Sequence, residues 1–240
     1  MKIYAATKKG NEKAENEDRM VIGKSVLSSG VFQTEEDCRV IAVADGVGGN
    51  NAGAVASHFA ASKVCQMETA TQDFFSEINK ELLSQSETIA EWNGMATTRA
   101  GFCIHADALD LFSIGNTRVY LLQSRKYLKQ LTADDTTLQY LLSSGRLSEE
   151  DAKSFDRKNE ITACFGGGNP ALFRMKIEQT ERFSVPFMIT SDGIHDYLSP
   201  DAMEDILSQS GISAESCEKL IAAARQNGSP DDTSIILGEL

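Results

Sequence analysis

At four places in the sequence, a pair of neighbouring residues that includes at least one acid stands next to a short apolar run. They are Glu17-Asp18, Asp45-Gly46, Asp192-Gly193 and Asp231-Asp232. Side chains at strand ends are held by the sheet yet stay open to solvent, so these carboxylates can meet in one site. The pairs offer only oxygen donors, without imidazole or thiolate, and such donors suit Mg²⁺ or Mn²⁺. The pattern therefore indicates metal-assisted chemistry.

Each pair also has a structural explanation when it is taken alone. Asp-Gly between apolar runs is typical of a tight hairpin, which would account for Asp45 and Asp192. Adjacent acids such as Asp231-Asp232 are usually solvated loop residues. Because all four pairs stand at strand edges, we favour a shared metal site over four unrelated turns.

A glycine-rich stretch, residues 45–53, follows the second acidic pair. Asn51 stands where a dinucleotide-binding motif needs its last glycine, and the chain has no Gly-Lys-Ser/Thr of a P-loop. We interpret the glycines as allowing the backbone to approach a metal closely, with the Gly46 carbonyl as a ligand. A helix is predicted to begin at Ala52.

The chain has 240 residues, with 23 basic and 35 acidic side chains and a formal net charge of −12. This charge disfavours nucleic acid or an anionic membrane as the main partner. We expect neither a secretory leader nor a membrane span, and we predict a cytoplasmic location. Five scattered cysteines argue against a disulfide framework and a Cys-x-x-C zinc site, and Cys65 and Cys103 are interpreted as small buried apolar residues.

Local patterns predict the elements that must position the acids. Runs rich in Val, Ile, Phe and Tyr predict strands at 39–44, 100–106, 109–114, 118–123, 172–178, 185–190 and 233–237. Apolar spacing and capping residues predict helices at 52–67, 72–92, 136–145, 148–153, 199 onwards and 213–226. Bunched helices and consecutive strands favour an α+β fold of antiparallel sheets covered by helices over a doubly wound parallel sheet. The segment 131–168 interrupts the strand rhythm and is predicted to be a flap.

In their order along the chain, the motifs resemble those of the metal-dependent protein phosphatase family (PPM, or type 2C) in its bacterial form. They are Glu15-Asn-Glu-Asp, Val43-Ala-Asp-Gly-Val-Gly-Gly, Gly94-Met-Ala-Thr-Thr, Ile114-Gly-Asn-Thr-Arg-Val-Tyr, Thr190-Ser-Asp-Gly-Ile-His-Asp and Pro230-Asp-Asp-Thr-Ser. The resemblance extends over essentially the whole chain. It implies one domain over residues 1–240, built as a four-layer α/β/β/α sandwich of two antiparallel sheets with a flap. The implied activity is hydrolysis of phosphoserine and phosphothreonine in proteins.

The resemblance also implies two Mn²⁺ or Mg²⁺ ions held at one end of the sandwich. The matching residues are Asp45 as the bridging carboxylate, Asp192 and Asp231 on the first ion, and the Gly46 carbonyl, Glu17 and Asp18 around the second. Asp232 stands where the family usually has Asn and is expected to support the ligands. Two such ions lower the pKa of a shared water and align it with the phosphorus, so that no covalent phosphoenzyme is needed.

Two positions depart from the family pattern. Asn116 stands where the family usually has an Asp that binds a third ion together with Asp192 and Asp196. A neutral amide is a weaker donor to a hard cation, so we expect two ions here. Lys13 replaces an Arg that binds the substrate phosphate; it keeps the charge but loses the bidentate fork, and we keep it as a catalytic candidate.

These departures leave other functions open. A weakly active or inactive phosphoprotein-binding regulatory module is the main alternative, and a hydrolase of small phosphate esters is a third. His195 is either a proton donor to the leaving group or a side chain packed beside the site, whereas His58 and His105 receive no role. The predicted partners are phosphorylated proteins and a cognate protein kinase, and the chain is predicted to be a monomer.

Overall fold

Two antiparallel sheets of six strands lie face to face in the computed structural model, which describes residues 1–11, 13–47, 52–152 and 154–240. The strands of the first sheet are, in spatial order, β11 (Tyr127–Gln130), β10 (Arg118–Gln123), β14 (Phe187–Thr190), β15 (Thr233–Glu239), β1 (Lys2–Lys8) and β4 (Gly30–Thr34). Those of the second are β13 (Lys176–Glu181), β9 (Ala108–Ile114), β8 (Arg99–Ile104), β5 (Val40–Ala44), β2 (Arg19–Ile22) and β3 (Ser25–Leu27). Buried side chains of both sheets, such as Phe102 and Phe187, fill the space between them.

Helices cover the outer face of each sheet. The helices α1 (Ala52–Val64) and α2 (Gln72–Ser86) share a buried apolar core with the second sheet. The helices α6 (Pro200–Ser210) and α7 (Ala214–Gln226) share another with the first sheet. Burial of these apolar surfaces is the main stabilising contribution to the fold. The predicted four-layer α+β sandwich is confirmed, and the parallel sheet is excluded because every strand pairing in the two large sheets is antiparallel.

Most predicted helix starts are confirmed by their caps. Ser199 and Ser213 accept hydrogen bonds from the amides of Ala202 and Ser216, and Pro200 occupies the first turn of α6. Thr136 caps the shorter helix α3 (Thr137–Ser143) in the same way. Because a side-chain cap replaces a hydrogen bond that the first turn lacks, the start is encoded locally.

Two predicted bounds differ most from the structure. The helix over 72–92 ends at Ser86, because the hydroxyl and amide of Thr88 both donate to the Gln85 carbonyl and close the last turn. The strand over 172–178 begins at Lys176 instead, since Asn169 caps a short 3₁₀ turn over Pro170–Leu172. Among the described residues, no helix has the length and apolarity that a membrane span requires.

The middle of the segment 131–168 lies outside the apolar cores of the layers, as expected of a flap. It contains α3 and the short acidic helix α4 (Glu149–Ala152), neither of which has a buried residue. It returns to the body at β12 (Phe165–Gly166), which pairs with β7 (Ala96–Thr97), and β7 in turn pairs with β6 (Gly46–Val47). Residue 153, the end of the predicted acidic helix, and residues 48–51 of the glycine-rich stretch lie outside the described residues.

Candidate metal centre

Carboxylates from both sheets meet at one end of the sandwich. Asp45 follows β5 of the second sheet, and Asp192 follows β14 of the first, at the start of the short helix α5 (Asp192–His195). Burial, followed by the negative charges of Asp192, Asp18 and Asp231, raises the pKa of Asp45 well above its usual range. Charges perturb one another in this way only at short range. The structure therefore brings together acids from all four of the predicted pairs, because Asp18 and Asp231 belong to the other two.

Several buried oxygens of this cluster have no hydrogen-bond partner among the described residues. They are Asp18 Oδ1, Asp192 Oδ1 and Asn116 Oδ1. Burying a carboxylate oxygen without a partner is costly, and burying several of them together adds charge repulsion. Burial and the charges of Asp232 and Asp231, respectively, raise the pKa values of Asp18 and Asp192. Free carboxylate oxygens that repel one another are the donor set that a hard divalent cation satisfies, so these residues fit Mg²⁺ or Mn²⁺.

Serine and threonine hydroxyls hold the acids in place. Ser191 Oγ donates to Asp18 Oδ2 over 2.7 Å and accepts from the Ser234 amide over 3.0 Å. Thr97 Oγ1 donates to the Asp45 carbonyl over 2.9 Å. The sequence prediction missed Ser191, although its position directly before Asp192 at a strand end was a usable signal. The bonds of Ser191 fix the Asp18 carboxylate, and that of Thr97 fixes the backbone of Asp45, before any ligand arrives.

Lys13 places its ammonium group between two acids of the cluster. Its Nζ lies 2.5 Å from Glu17 Oε2 and 3.1 Å from Asp231 Oδ1. Burial alone would lower the pKa of Lys13, but the hydrogen bond to Glu17 and the charge of Asp231 raise it overall, so the group is fully charged at neutral pH. Lys13 therefore lies next to two of the acids that the sequence analysis expects as ligands, and its catalytic role stays a prediction.

Asp232 joins segments of the chain instead of facing the cluster with free oxygens. Its Oδ1 accepts from the Gly10 amide and its Oδ2 from the Glu17 amide, both over 2.7 Å. A Cβ on Gly193 would lie 2.0 Å from the Asp232 carbonyl oxygen, so glycine is required where α5 passes this loop. These contacts are those of the supporting residue that the sequence predicted.

Gly46 also owes its identity to close packing. A Cβ at this position would lie 2.2 Å from the Gly53 carbonyl oxygen and 2.7 Å from that of Glu17. The absence of a side chain thus lets β6, α1 and the Glu17 backbone come together beside Asp45. The expected role of the Gly46 carbonyl as a metal ligand stays a prediction.

Asn116 and Asp196 occupy the side of the cluster that faces the flap. Asn116 Nδ2 donates to Asp192 Oδ2 over 2.9 Å. Burial and the charge of Asp192 raise the pKa of Asp196 to about 6. Arg118 donates to both carboxylate oxygens of Asp134, at the start of the flap. The Asn116 amide therefore supplies a hydrogen bond to one oxygen of Asp192, at the position where the family usually has an Asp.

His195 is a buried side chain whose Nδ1 lies 2.8 Å from Thr190 Oγ1. Burial and the positive charge of Arg118 lower its pKa well below the usual range, so the imidazole is neutral. A neutral imidazole of such low pKa is a poor proton donor. Of the two interpretations, the packed side chain agrees with the structure.

Carboxylates gathered from both sheets at one end of the sandwich, with unpaired oxygens among them, are suited to metal-assisted hydrolysis. The sequence profile of the protein phosphatase 2C family matches residues 27–226, which is most of the chain. The chain belongs to this family.

Relatives from several bacteria share this assignment. The serine/threonine phosphatase stp of Listeria monocytogenes serotype 4b (strain F2365) is 30% identical over 252 residues, which cover 97% of this chain and 93% of the relative. The serine/threonine phosphatase PstP/Ppp of Mycobacterium tuberculosis has a crystal structure that matches with a TM-score of 0.82 and 28% identity, covering 100% of this chain and 99% of that one. The catalytic domain of PstP in complex with two manganese ions matches with a TM-score of 0.76 and 26% identity, covering 100% and 99% of the two chains.

The activity and the cofactor expected from the sequence are confirmed at the level of the family. The chain is a metal-dependent serine/threonine protein phosphatase. Its cofactor is Mn²⁺ or Mg²⁺, and its substrates are phosphoproteins.

Proposed function

We propose that Asp45, Asp192 and Asp231 bind two Mn²⁺ or Mg²⁺ ions and that this centre hydrolyses phosphoserine and phosphothreonine in proteins. Asp45 lies between the two groups of ligands, with Glu17, Asp18 and the Gly46 carbonyl on the second side. The observation that carries the proposal is the convergence of acids from both sheets with buried oxygens left unpaired. Asp196 is a further candidate ligand on the flap side.

When bound, the ions supply positive charge at the phosphate and lower the pKa of a water that attacks it. The chain supplies rigid positions for its carboxylates, and rigidity is what makes electrostatic stabilisation effective, since nothing must reorganise during the reaction. Ser191 and Thr97 provide this rigidity through their hydrogen bonds. Spontaneous hydrolysis of phosphate monoesters is so slow that enzymes accelerate it by up to ~10²¹-fold, and fixed charges can contribute substantially on that scale.

Lys13 is proposed to bind the substrate phosphate. Its ammonium group is about one-third exposed and already lies at the cluster, within 3.1 Å of Asp231. With Glu17 and Asp231 engaged by metal ions, the Lys13 ammonium would be free to donate to phosphate oxygens. One ammonium orients a phosphate less strictly than a bidentate guanidinium does.

The organisation of the protein is part of the same proposal. We take residues 1–240 to be a single domain that acts as a monomer in the cytoplasm, opposed by a cognate protein kinase. The layered core that runs through the chain and five free cysteines support this view. Size-exclusion chromatography with light scattering tests the monomer, and two or more copies per particle would contradict it.

The activity is tested by phosphate release from a phosphothreonine peptide in the presence of Mn²⁺. We expect turnover that a chelator abolishes and that Asp192→Ala lowers by at least about 10³-fold. Asp201→Asn, on the first turn of α6, is the matched acid control and retains wild-type turnover. Equal rates for the wild type and Asp192→Ala would contradict the proposal.

The hydrogen bond from Asn116 to Asp192 favours one second candidate, a phosphoprotein-binding module with slow turnover. The amide blocks an oxygen that a third ion would need. In this case Asn116→Asp would raise the turnover rate by about tenfold or more, and the wild type would bind the phosphopeptide without releasing phosphate. An unchanged rate in Asn116→Asp would remove this alternative.

A further inference from the structure

A second group of metal-binding side chains lies at the other end of the second sheet. Cys103 and His105 stand two residues apart at the end of β8, and Asp110 is in β9. Thr98, which contacts Asp45, precedes the start of the same β8. At ~3.3 Å per residue along a strand, the two ends of β8 are separated by about 20 Å, so the second group is distinct from the acidic cluster.

The register of the sheet brings these three side chains together. Cys103 and Asp110 are direct partners across the antiparallel β8–β9 pair, and residues two apart on a strand point to the same face. The Sγ of Cys103, a ring nitrogen of His105 and a carboxylate oxygen of Asp110 all lie within 4.8 Å of one another. His105 Nε2 lies 2.7 Å from Asp110 Oδ2. Among the described residues, no other group of three or more His, Cys and acidic side chains meets this spacing.

The carboxylate of this group is held by neighbours outside it. Gln179 Nε2, from β13, donates to Asp110 Oδ1 over 3.1 Å, and the Ala70 amide donates to Oδ2 over 3.3 Å. Cys103 Sγ donates to the Glu68 carbonyl over 3.3 Å. Outer hydrogen bonds that orient a ligand are a regular feature of protein metal sites. The connection between α1 and α2, which includes Glu68 and Ala70, is thereby joined to the β8–β9 hairpin.

The donor set differs in kind from that of the acidic cluster. Thiolate, imidazole and carboxylate are the three ligand types of zinc sites, whereas an all-oxygen set suits Mg²⁺ or Mn²⁺. A Zn²⁺ ion bound by an ionised thiol, a neutral imidazole and an ionised carboxyl group forms a site of zero net charge. Cys103 and Asp110 are buried, but the His105 side chain is 24% exposed, which leaves a side open to solvent.

We propose that Cys103, His105 and Asp110 bind a zinc ion. Three protein ligands leave one tetrahedral position for a water molecule. On binding, the thiol proton of Cys103 passes to solvent. The ring proton that His105 shares with Asp110 moves to the other ring nitrogen of His105. Burial and the charge of Asp110 raise the pKa of the Cys103 thiol to about 11, and the charge of Arg39, whose guanidinium donates to the Glu68 carbonyl, offsets this only in part, so it is the cation that must stabilise the thiolate. The ion fastens the hairpin to the helix layer and takes no part in phosphate hydrolysis.

Co²⁺ is the probe that separates this site from the acidic cluster, because only a thiolate ligand gives an intense Co²⁺ charge-transfer band in the near ultraviolet. Titration of the full metal-free chain is expected to give this band with an end point at one Co²⁺ per chain, and Zn²⁺ then removes it. Cys103→Ala is expected to lose the band. Cys217→Ala, a matched buried cysteine within α7, is expected to keep it.

His105→Ala is the variant least disturbing to the fold, because this side chain is partly exposed. It is expected to weaken Co²⁺ binding by at least about tenfold, since loss of a direct ligand costs at least as much as loss of an outer partner. This result decides the matter even where Cys103→Ala does not fold. Absence of the band in the wild type, its persistence in folded Cys103→Ala, or an unchanged affinity in His105→Ala would overturn the proposal.

Discussion

The two ends of β8 carry titratable groups in opposite electrostatic states. At one end Asp45, Asp18 and Asp192 repel one another and have raised pKa values. At the other end, the pKa of Asp110 is lowered, because hydrogen bonds from His105 and Gln179 outweigh the effect of burial. The acidic cluster carries more negative charge than its one ammonium group, that of Lys13, can balance, whereas the Asp110 carboxylate is already stabilised by its neighbours.

This difference shows what each end requires of a cation. The acidic cluster is destabilising until an ion neutralises it, so metal binding there is coupled to both stability and activity. The Cys103 group is folded and hydrogen-bonded without an ion, so a metal there adds a link to a site that is already formed. Burial alone therefore does not separate a functional centre from a structural one; the number of unpaired oxygens does.

Among the substitutions that distinguish the two ends of β8, Asp45→Asn is expected to have the largest effect. We expect a loss of turnover of at least about 10³-fold with Mn²⁺, because the central carboxylate is removed without a change in shape. The same substitution should raise the free energy of unfolding of the metal-free protein, since it removes one of the repelling charges. Asp107→Asn, in the exposed loop at the far end of β8, is the control that should change neither quantity. A destabilised metal-free Asp45→Asn would contradict the repulsion at the acidic end.

Lys13→Met tests the positive charge that the acidic cluster does contain. We expect kcat/KM for a phosphopeptide to fall by roughly 10- to 100-fold, or ~1.4–2.7 kcal/mol. Lys13→Arg should retain at least wild-type activity, because the guanidinium adds a second hydrogen bond to the phosphate. Lys24→Met, at an exposed position, is the control. If Lys13→Met leaves kcat/KM unchanged, Lys13 only neutralises Glu17 and Asp231.

Arg99 is the first residue of β8, the strand that connects the two clusters. It is fully buried, and none of its guanidinium nitrogens has a hydrogen-bond partner among the described residues. Burial lowers its pKa to about 9, so it is still charged at neutral pH. We expect Arg99→Met to stabilise the protein by about 1–3 kcal/mol in chemical denaturation, because an unpaired buried cation is removed. The exposed Arg146→Met should stay within about 0.5 kcal/mol of the wild type. Destabilisation by Arg99→Met would mean that the charge has a favourable role.

Acidification is expected to have the smallest of the predicted effects. It changes the contributions of the two ends of β8 to the free energy of unfolding with opposite signs. A carboxyl group whose pKa is raised on folding stabilises the fold at low pH, and this stability is lost as the pH rises through the folded pKa. Asp196, with a pKa of about 6, belongs to this kind, whereas Asp110, with a lowered pKa, stabilises the fold at neutral pH. Between pH 7 and 5.5 the metal-free wild type should therefore gain about 1 kcal/mol in free energy of unfolding relative to Asp196→Asn, a comparison that cancels the opposing effect of the buried neutral His195. A relative loss over that range, measured by urea denaturation of both proteins, would contradict this assignment.

Features encoded by neighbouring residues were predictable from the sequence. Ser199-Pro200 and Ser213 define helix starts within one turn, and apolar runs mark the strands that Asp45 and Asp192 follow. The strand β1 was missed, because Lys2 and Lys8 frame small alanines instead of a β-branched run. Its place between β15 and β4 comes from pairing across the whole chain.

Roles that depend on register were beyond the sequence. Cys103 read as a small apolar residue and His105 received no role, since only the pairing of β8 with β9 sets Cys103 opposite Asp110. The support that Ser191 gives to Asp18 joins residues from opposite ends of the chain. Strand order and hydrogen-bond register, which local patterns do not determine, decide both.

The number of Mn²⁺ ions bound per chain decides whether acids from both sheets form one metal centre. Isothermal titration of the metal-free protein with Mn²⁺ is expected to show two ions at the acidic end of the wild type and of Asp107→Asn. Asp45→Asn, which lacks the shared carboxylate, should lose high-affinity binding of both ions together. Two ions bound with unchanged affinity in Asp45→Asn, or fewer than two in the wild type, would contradict the account.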